Sequence, residues 1–417
     1  MFLDKENPTI DELVYWFQVN FTELANEMKA SNHNAVCDEP NPYHIEDTVW
    51  THTMMVCQRA EIEDAPKINK ICALLHDIGK PEAREILPFN KPKPVYTESN
   101  ELRNNGKNNG EDSGLNRKVP KSGLKSAFRG HEGISFYRAI EVVNALEEEG
   151  VLDLEEKQDV LTIISMHGTL FDNITADGEI KKKEKVFDKF QKSEKGLSLF
   201  ENFVTQVRCD SLGRFFVSKD GRKNNAYGLG NKIFTRGQFA RYVLEQGYPD
   251  NLPKNNFSSY ITLLIGVPAS GKSTYLEKNL KSEIVISRDN TLMKYANNHQ
   301  IRGNYSEVWE KLSDDDQKTI DKILMNEFKK AVKERKDIIV DMTNMSRKSR
   351  RKWINTVPKC YKKKAIIFAT EYDEIYARNE KRFQETGKNI PDFVISNMMK
   401  GFMIPDYSEA DIIEWVF

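Results

Sequence analysis

The segment that most restricts this chain is Gly266-Val-Pro-Ala-Ser-Gly271-Lys272-Ser273, which follows the apolar run 260–265 and leads into a helix-forming stretch. The spacing G-x-x-x-x-G-K-S between a strand and a helix predicts a loop whose backbone N–H groups close around phosphate oxygens. Gly266, Ala269, Ser270, Gly271, Lys272, Ser273 and Thr274 are therefore the expected phosphate-binding residues. Lys272 would supply charge to the outer phosphates of a nucleotide, and the Ser273 hydroxyl would take a Mg²⁺ ion.

The surrounding texture agrees with a sheet. Short β-branched runs at 261–265, 284–286, 338–340 and 365–368 are separated by long helical stretches, the alternation of a parallel sheet flanked by helices. The second run ends in Arg288-Asp289 and the third in Asp341, at the sheet edge where open α/β folds hold their ligands. Asp289 reads as a general base or as the N-cap of the helix that follows. Asp341 reads as a carboxylate orienting Mg²⁺ or as a solvated strand end. Arg378 and Arg382 are spaced to share one helix face, and two stacked guanidinium groups call for an anion between them, which ATP phosphates would supply; Arg378 taken alone also reads as part of a solvated helix face.

Before about residue 214 the apolar spacing is mostly helical, so the N-terminal half reads as all-α. One stretch, 88–126, is crowded with Asn, Gly, Lys, Ser and Pro and reads as a mobile insertion. Another, 218–257, reads as a connection. It contains a short amphipathic piece, 237–245, able to dock on either side. The expected division is 1–217, 218–257 and 258–417. Within the helical half His52, His76, Asp77, His131, His167 and Asp210 recur at intervals that place them on separate helices. Helices that each point one His or Asp inward build metal sites in bundles. Mixed imidazole and carboxylate ligation suits Mn, Fe, Co, Ni or Zn better than Ca²⁺. His33, His44 and His299 fall outside the set and read as surface or loop residues.

Lys and Arg total 62 against 63 Asp and Glu, for a net charge of −1, so nucleic-acid contact cannot rest on bulk charge and must be local. The five cysteines are widely spaced with no C-x-x-C pair, which fits neither a disulfide framework nor a zinc ribbon and suits a reducing cytoplasm. No apolar run approaches the ~18 residues of a membrane span.

Gly266 to Ser273, Ser287-Arg-Asp289, Thr343-Asn344 and Arg378-Asn-Glu-Lys-Arg382 resemble the P-loop polynucleotide 5′-hydroxyl kinases of bacteriophages. The resemblance implies ATP and Mg²⁺ at Lys272 and Ser273, Asp289 as the base for a 5′-hydroxyl, and Arg382 as a lid arginine on the transferred phosphate. It departs at Leu292, where the family pattern has an acceptor-binding Arg. A basic cluster, Arg347, Lys348, Arg350, Arg351 and Lys352, is either its substitute or a solvated helix face.

Leu74-Leu-His-Asp-Ile-Gly-Lys-Pro81, Phe128-Arg-Gly-His-Glu132 and Asp210-Ser-Leu-Gly-Arg214 resemble HD-domain phosphohydrolases, in particular those attached to tRNA nucleotidyltransferases. That resemblance implies one metal on His52, His76, Asp77 and Asp210, and a second shared through Asp77 with His131 and His167. Lys80 is a further catalytic candidate. An HD domain ahead of a polynucleotide kinase resembles the two-domain RNA end-healing enzymes of phages and bacteria, which implies RNA ends and ATP as substrates. Ser218-Lys219-Asp220-Gly221 lacks the K-x-D-G spacing of a ligase, so a separate RNA ligase is the expected partner. An enzyme of mononucleotide metabolism and a non-catalytic RNA-binding protein are the alternatives.

Overall fold

The computed structural model describes residues 3–38, 44, 46–92, 120–169, 180, 182–214, 239, 241–242, 259–388 and 390–417. The middle of the 88–126 stretch and most of the 218–257 connection lie outside the described residues.

The N-terminal half is built on α1 (Ile10–Asn20), α2 (Thr22–Ala30), α3 (Val49–Ile62), α4 (Lys67–Leu75), α5 (Lys80–Ala83), α6 (His131–Glu148), α7 (Leu154–Met166), α8 (Lys183–Phe187) and α9 (Glu194–Leu212). Every residue of α4 from Asn69 to Leu75 is buried, as expected of a helix apolar on all sides and placed at the centre of a bundle. It packs against α3, α7 and α9 and delivers His76 at its C-terminal cap. Reciprocal capping boxes, Thr9 with Glu12 and Asp153 with Glu156, fix the starts of α1 and α7 by satisfying otherwise orphaned N–H groups.

This half is not all-α. Strands β1 (Glu85–Pro92) and β2 (Pro120–Ala127) pair antiparallel from Glu85 opposite Ala127 to Pro92 opposite Pro120. The two ends of the expected insertion thus form a ribbon. The Asp38 N–H donates to the Leu124 carbonyl at 2.9 Å, and the Leu124 N–H returns a bond to Asp38 Oδ2 at 2.6 Å. A ribbon held by main-chain pairing needs no apolar alternation, so residue periodicity carries no trace of it.

The C-terminal half is a doubly covered α/β sheet: β3 (Ser259–Ile265), α10 (Lys272–Asn279), β4 (Ile284–Ser287), α11 (Arg288–Asn298), α12 (Tyr305–Lys311), α13 (Asp314–Lys333), β5 (Ile338–Asp341), α14 (Arg347–Ile354), β6 (Tyr361–Phe368), α15 (Tyr372–Thr386), α16 (Asp392–Lys400) and β7 (Ile412–Val416). All five strands are parallel, in the order β4, β5, β3, β6, β7. Buried on both faces, such strands read as continuous apolar runs. β7 escapes sequence reading because Glu414 interrupts a short run at the sheet edge.

The two halves pack together through α6. Phe136 and Tyr137 meet Phe402, with ring centroids 4.5 and 5.5 Å away. A Cβ on Gly133 would lie 2.1 Å from the Met399 carbonyl oxygen, so only glycine permits this approach of α6 to α16. Of the connection, Phe239, Arg241 and Tyr242 are described. Phe239 sits 4.7 Å from Phe200, and the Tyr242 hydroxyl donates to Asp188 Oδ1 at 2.7 Å, which docks this piece on the helical half. Among the described residues no helix is long and apolar enough to cross a membrane.

Candidate functional site

Two constellations emerge, one in each half. In the helical half α3 presents His52, the end of α4 His76 and Asp77, the start of α6 His131, the cap of α7 His167, and α9 Asp210. The ring nitrogens are sorted by their outer partners. Nδ1 of His76 faces the Ala73 carbonyl at 3.0 Å, Nδ1 of His131 that of Phe128 at 2.8 Å, and Nδ1 of His167 that of Ile164 at 2.7 Å. Nδ1 of His52 faces Glu46 Oε1 at 3.1 Å. An acceptor facing each Nδ1 favours the tautomer with its proton there, in which Nε2 offers an inward lone pair to a cation.

Those lone pairs face one another. His52 Nε2 and His76 Nε2 are 3.3 Å apart, and His131 Nε2 and His167 Nε2 are 3.2 Å apart. Asp77 lies between the pairs, with Oδ2 3.3 and 3.2 Å from the first two nitrogens and Oδ1 3.3 and 3.8 Å from the second two. Asp210 Oδ1 adds to the first group, 3.3 Å from His52 Nε2. Opposed lone pairs beside buried carboxylates repel unless a cation stands between them, so the donor set fits one or two divalent ions. Its mixture of imidazole nitrogen and carboxylate oxygen is that of Mn, Fe, Co, Ni or Zn sites.

His33 and His44, expected at the surface or in loops, do lie outside the helices and strands but not at the surface. His33 and His44 are buried and stack with ring centroids 4.6 Å apart. With Glu46 they form a third group of potential ligands. Glu46 Oε1 lies 2.7 Å from His44 Nδ1 as well as 3.1 Å from His52 Nδ1, so this carboxylate orients the His52 ring from the side away from the cluster. His44 Nε2 meets Lys80 Nζ at 3.1 Å, and Lys80 Nζ reaches Asp77 Oδ2 at 2.6 Å. Burial and the Lys80 charge lower His33 to about 3. The missed signal was His44-x-Glu46 shortly before His52, which is a ligand spacing only once the chain folds back over α3. His299 is exposed, as expected, and stacks on Tyr295 at 3.9 Å.

The second constellation lines a cleft of about 1120 Å³ across the C-terminal edge of the parallel sheet. The Gly266 to Ser273 loop leaves the central strand β3, with Ala269 at φ +66° and Gly271 at φ +90°. Lys272 Nζ donates to the carbonyls of Gly266 at 2.8 Å and Val267 at 2.6 Å. Burial lowers its ammonium to about 8, a cost that phosphate oxygens would offset. Asp289, Asp341, Arg378 and Arg382 line the same cleft. Burial raises the Asp341 carboxyl above its ordinary value, with Lys272 the foremost opposing charge. A carboxylate so placed beside the loop fits a Mg²⁺ ion shared with Ser273.

Asp289 is not a helix cap. Ser287 occupies that position in α11, and no side chain caps it. The Asp289 carboxylate instead accepts from the Tyr305 hydroxyl at 2.8 Å and pairs with Lys388 at 2.5 Å. Burial alone would raise this carboxyl, yet Lys388 and Tyr305 hold it below the ordinary value, so it is ionised. Sequence reasoning missed both partners, which come from separate elements. Arg378 Nε donates to Glu374 Oε1 at 2.6 Å, and Arg382 Nη2 to Asn379 Oδ1 at 2.7 Å.

Arg350 must leave the basic cluster. It is 0% exposed, donates to the carbonyls of Asn344 at 3.0 Å and Met403 at 2.8 Å, and pairs with Glu409 at 2.5 Å. Arg347 pairs with Asp406 at 3.3 Å. Lys348, Arg351 and Lys352 remain exposed. Leu292 is a core residue, buried with Tyr295, Val308 and Ile320. Asn344 is a strut, its amide donating to the Leu264 carbonyl at 2.9 Å.

Residues 261–405 match the family described as AAA domain. Among solved structures, one of the Pnkp1/Rnl/Hen1 RNA repair complex is similar at 22% identity over 36% of this chain and 46% of that chain, with a TM-score of 0.30. A second structure of the Pnkp1/Rnl/Hen1 complex is similar at 21% identity over 31% and 41%, TM-score 0.25. A gluconokinase from Sinorhizobium meliloti 1021 is similar at 16% identity over 39% and 83%, TM-score 0.23. This chain spans less than half the length of the first two chains it matches.

Proposed function

We propose that this chain heals broken RNA ends, phosphorylating 5′-hydroxyls with ATP in its C-terminal half and hydrolysing 2′,3′-cyclic or terminal phosphates in its helical half. The observation that carries the reading is the presence in one chain of both constellations: paired Nε2 lone pairs around Asp77, and a phosphate loop sharing a cleft with an ionised Asp289. The motif resemblances of both halves point the same way.

In the kinase half Asp289 takes the proton of the 5′-hydroxyl as that oxygen bonds to the γ-phosphorus. The bond from the γ-phosphorus to its bridging oxygen breaks, and ADP departs. Tyr305 and Lys388 hold the base ionised and in place. Lys272 exchanges its carbonyl partners for phosphate oxygens, while Arg378 and Arg382, which line the same cleft, supply further positive charge to them. Catalysis of this type is positioning and charge neutralisation. Ser273 and Asp341 would hold Mg²⁺.

In the helical half His52, His76, Asp77 and Asp210 would hold one divalent ion, and Asp77, His131 and His167 a second. Such ions supply Lewis acidity and a nucleophilic water at neutral pH. Glu46 orients His52, and Lys80, held against Asp77 and His44, offers a cation to the substrate phosphate. One water is consumed for each P–O bond cleaved. Sealing is left to a separate RNA ligase. The test is an RNA carrying a 2′,3′-cyclic phosphate and a 5′-hydroxyl, incubated with ATP and a panel of divalent metals, with both ends then analysed. Two unchanged ends would reject the proposal, and turnover of mononucleotides alone would move it to nucleotide metabolism.

A further inference from the structure

The order of the strands gives the cleft a direction. Its loop leaves β3 at the middle of the sheet, while Asp289 and Asp341 follow β4 and β5 on one side. With the outer phosphate turned toward Asp289, the rest of the donor nucleotide must run the other way, over the ends of β6 and β7. The walls there include Thr370, Glu371, Val416, Phe417 and, from α6 of the helical half, Asn144.

Asn144 is held in a fixed orientation. Its Nδ2 donates to Glu371 Oε1 at 2.7 Å, and its Oδ1 accepts from Lys157 Nζ at 3.1 Å. The Lys157 ammonium sits 3.8 Å from the Phe417 ring centroid. That ring lies parallel to Trp415 at 5.7 Å and is 43% exposed. An amide and a carboxylate beside a partly exposed aromatic ring that also carries the Lys157 ammonium form a small polar edge on an apolar platform, the composition of a nucleobase pocket.

We propose that Asn144 and Glu371 read the base of the phosphoryl donor, so that the donor site is assembled across the boundary between the two halves. The inference rests on the kinase reading of the cleft. A carboxylate accepts from the exocyclic amine of adenine, and the second N–H of the Asn144 amide donates to the adjacent ring nitrogen. Guanine would set its carbonyl oxygen against the Glu371 carboxylate, a repulsive pairing that excludes it. Asn144 and Lys157 thereby make the helical half a part of the kinase's specificity.

The test uses the full chain with Mg²⁺ and a fluorescent ATP analogue in the absence of any acceptor, followed by kinase kinetics with ATP and GTP. Asn144→Ala should weaken analogue binding and raise the KM for ATP about ten-fold, leaving kcat and the KM for a 5′-hydroxyl oligonucleotide within about two-fold. Glu371→Gln, of equal size, presents an N–H to the guanine carbonyl and should lower the ATP to GTP preference at least about ten-fold. Unchanged analogue binding and unchanged donor preference in both variants, each with the wild-type melting temperature, would overturn the inference. A protein that binds the analogue through these residues yet phosphorylates no 5′-hydroxyl would uphold it and reject the RNA-end reading.

Discussion

The Tyr372 hydroxyl, at the start of the helix that carries Arg378 and Arg382, donates to Glu82 Oε2 at 2.8 Å, and Glu82 belongs to the short helix following the Asp77 turn. Glu82 also accepts from Ser396 Oγ at 2.6 Å and from Arg138 Nε at 3.1 Å. One carboxylate thus ties the helix behind the histidine cluster to two helices of the cleft. Glu82→Ala removes the acceptor from three donors in a partly buried interface, at a cost of about 2 kcal/mol or more. The expected result is a lower melting temperature for the whole chain. Two calorimetric transitions, the second unchanged from wild type, would show that the halves do not lean on each other here.

Glu141 lies on the same interface, where burial and the charges of Asp373 and Glu371 raise it from an ordinary 4.5 to about 7. The folded state therefore holds this proton more tightly than the unfolded chain does. Between 4.5 and about 7 the native protein binds more protons, so this group's contribution to stability falls as pH rises. Glu141→Gln stays neutral at every pH. It should melt like wild type near pH 4.5 and above it at pH 8, as followed by a thermal shift series. An equal difference at both ends would exclude the ionisation as its source.

What the sequence revealed of this protein follows from how each feature is encoded. The loop at Gly266 to Ser273 and the buried strands are local patterns, and four of the five strands of the sheet lie where their apolar runs predict. The β1–β2 ribbon depends on main-chain pairing between ends far apart in sequence, and its composition shows no alternation. His33, His44 and Glu46 were invisible as a group because ligand sets made by a fold-back have no fixed spacing. Arg350 was misread because a charge run on a short helix looks the same whether one member points inward or all face water. The Tyr305 and Lys388 contacts to Asp289 depend on tertiary approach alone.

Separate machinery predicts separable loss. Asp77→Asn replaces the carboxylate set between the two histidine pairs with a neutral amide, a poor ligand for two cations. Metal content by mass spectrometry and phosphohydrolysis should both collapse, with 5′-phosphorylation near wild type. Lys272→Ala or Asp289→Asn should abolish phosphorylation and leave hydrolysis nearly intact. If either class of variant erased both activities in a folded protein, the assignment of two sites would be wrong.

Arg350 supplies the last prediction. Its guanidinium is fully buried, and its partners, Glu409 and the carbonyls of Asn344, Met345 and Met403, come from both sides of α14. Removing one member of a buried ion pair leaves an unpaired charge inside and costs about 3–5 kcal/mol. Arg350→Ala should therefore destabilise the C-terminal half, and any fall in RNA phosphorylation should track the unfolded fraction rather than the KM for RNA. Replacing both partners with apolar residues, Arg350→Met with Glu409→Leu, removes the orphaned charge and should recover part of the loss. Lys348→Glu with Lys352→Glu, on the exposed face of the same helix, should leave the melting temperature nearly unchanged. Any RNA contact made by this helix must then appear in those two positions as a weakened, less salt-dependent affinity. A soluble, fully folded Arg350→Ala protein with a raised KM for RNA would return the residue to the surface cluster.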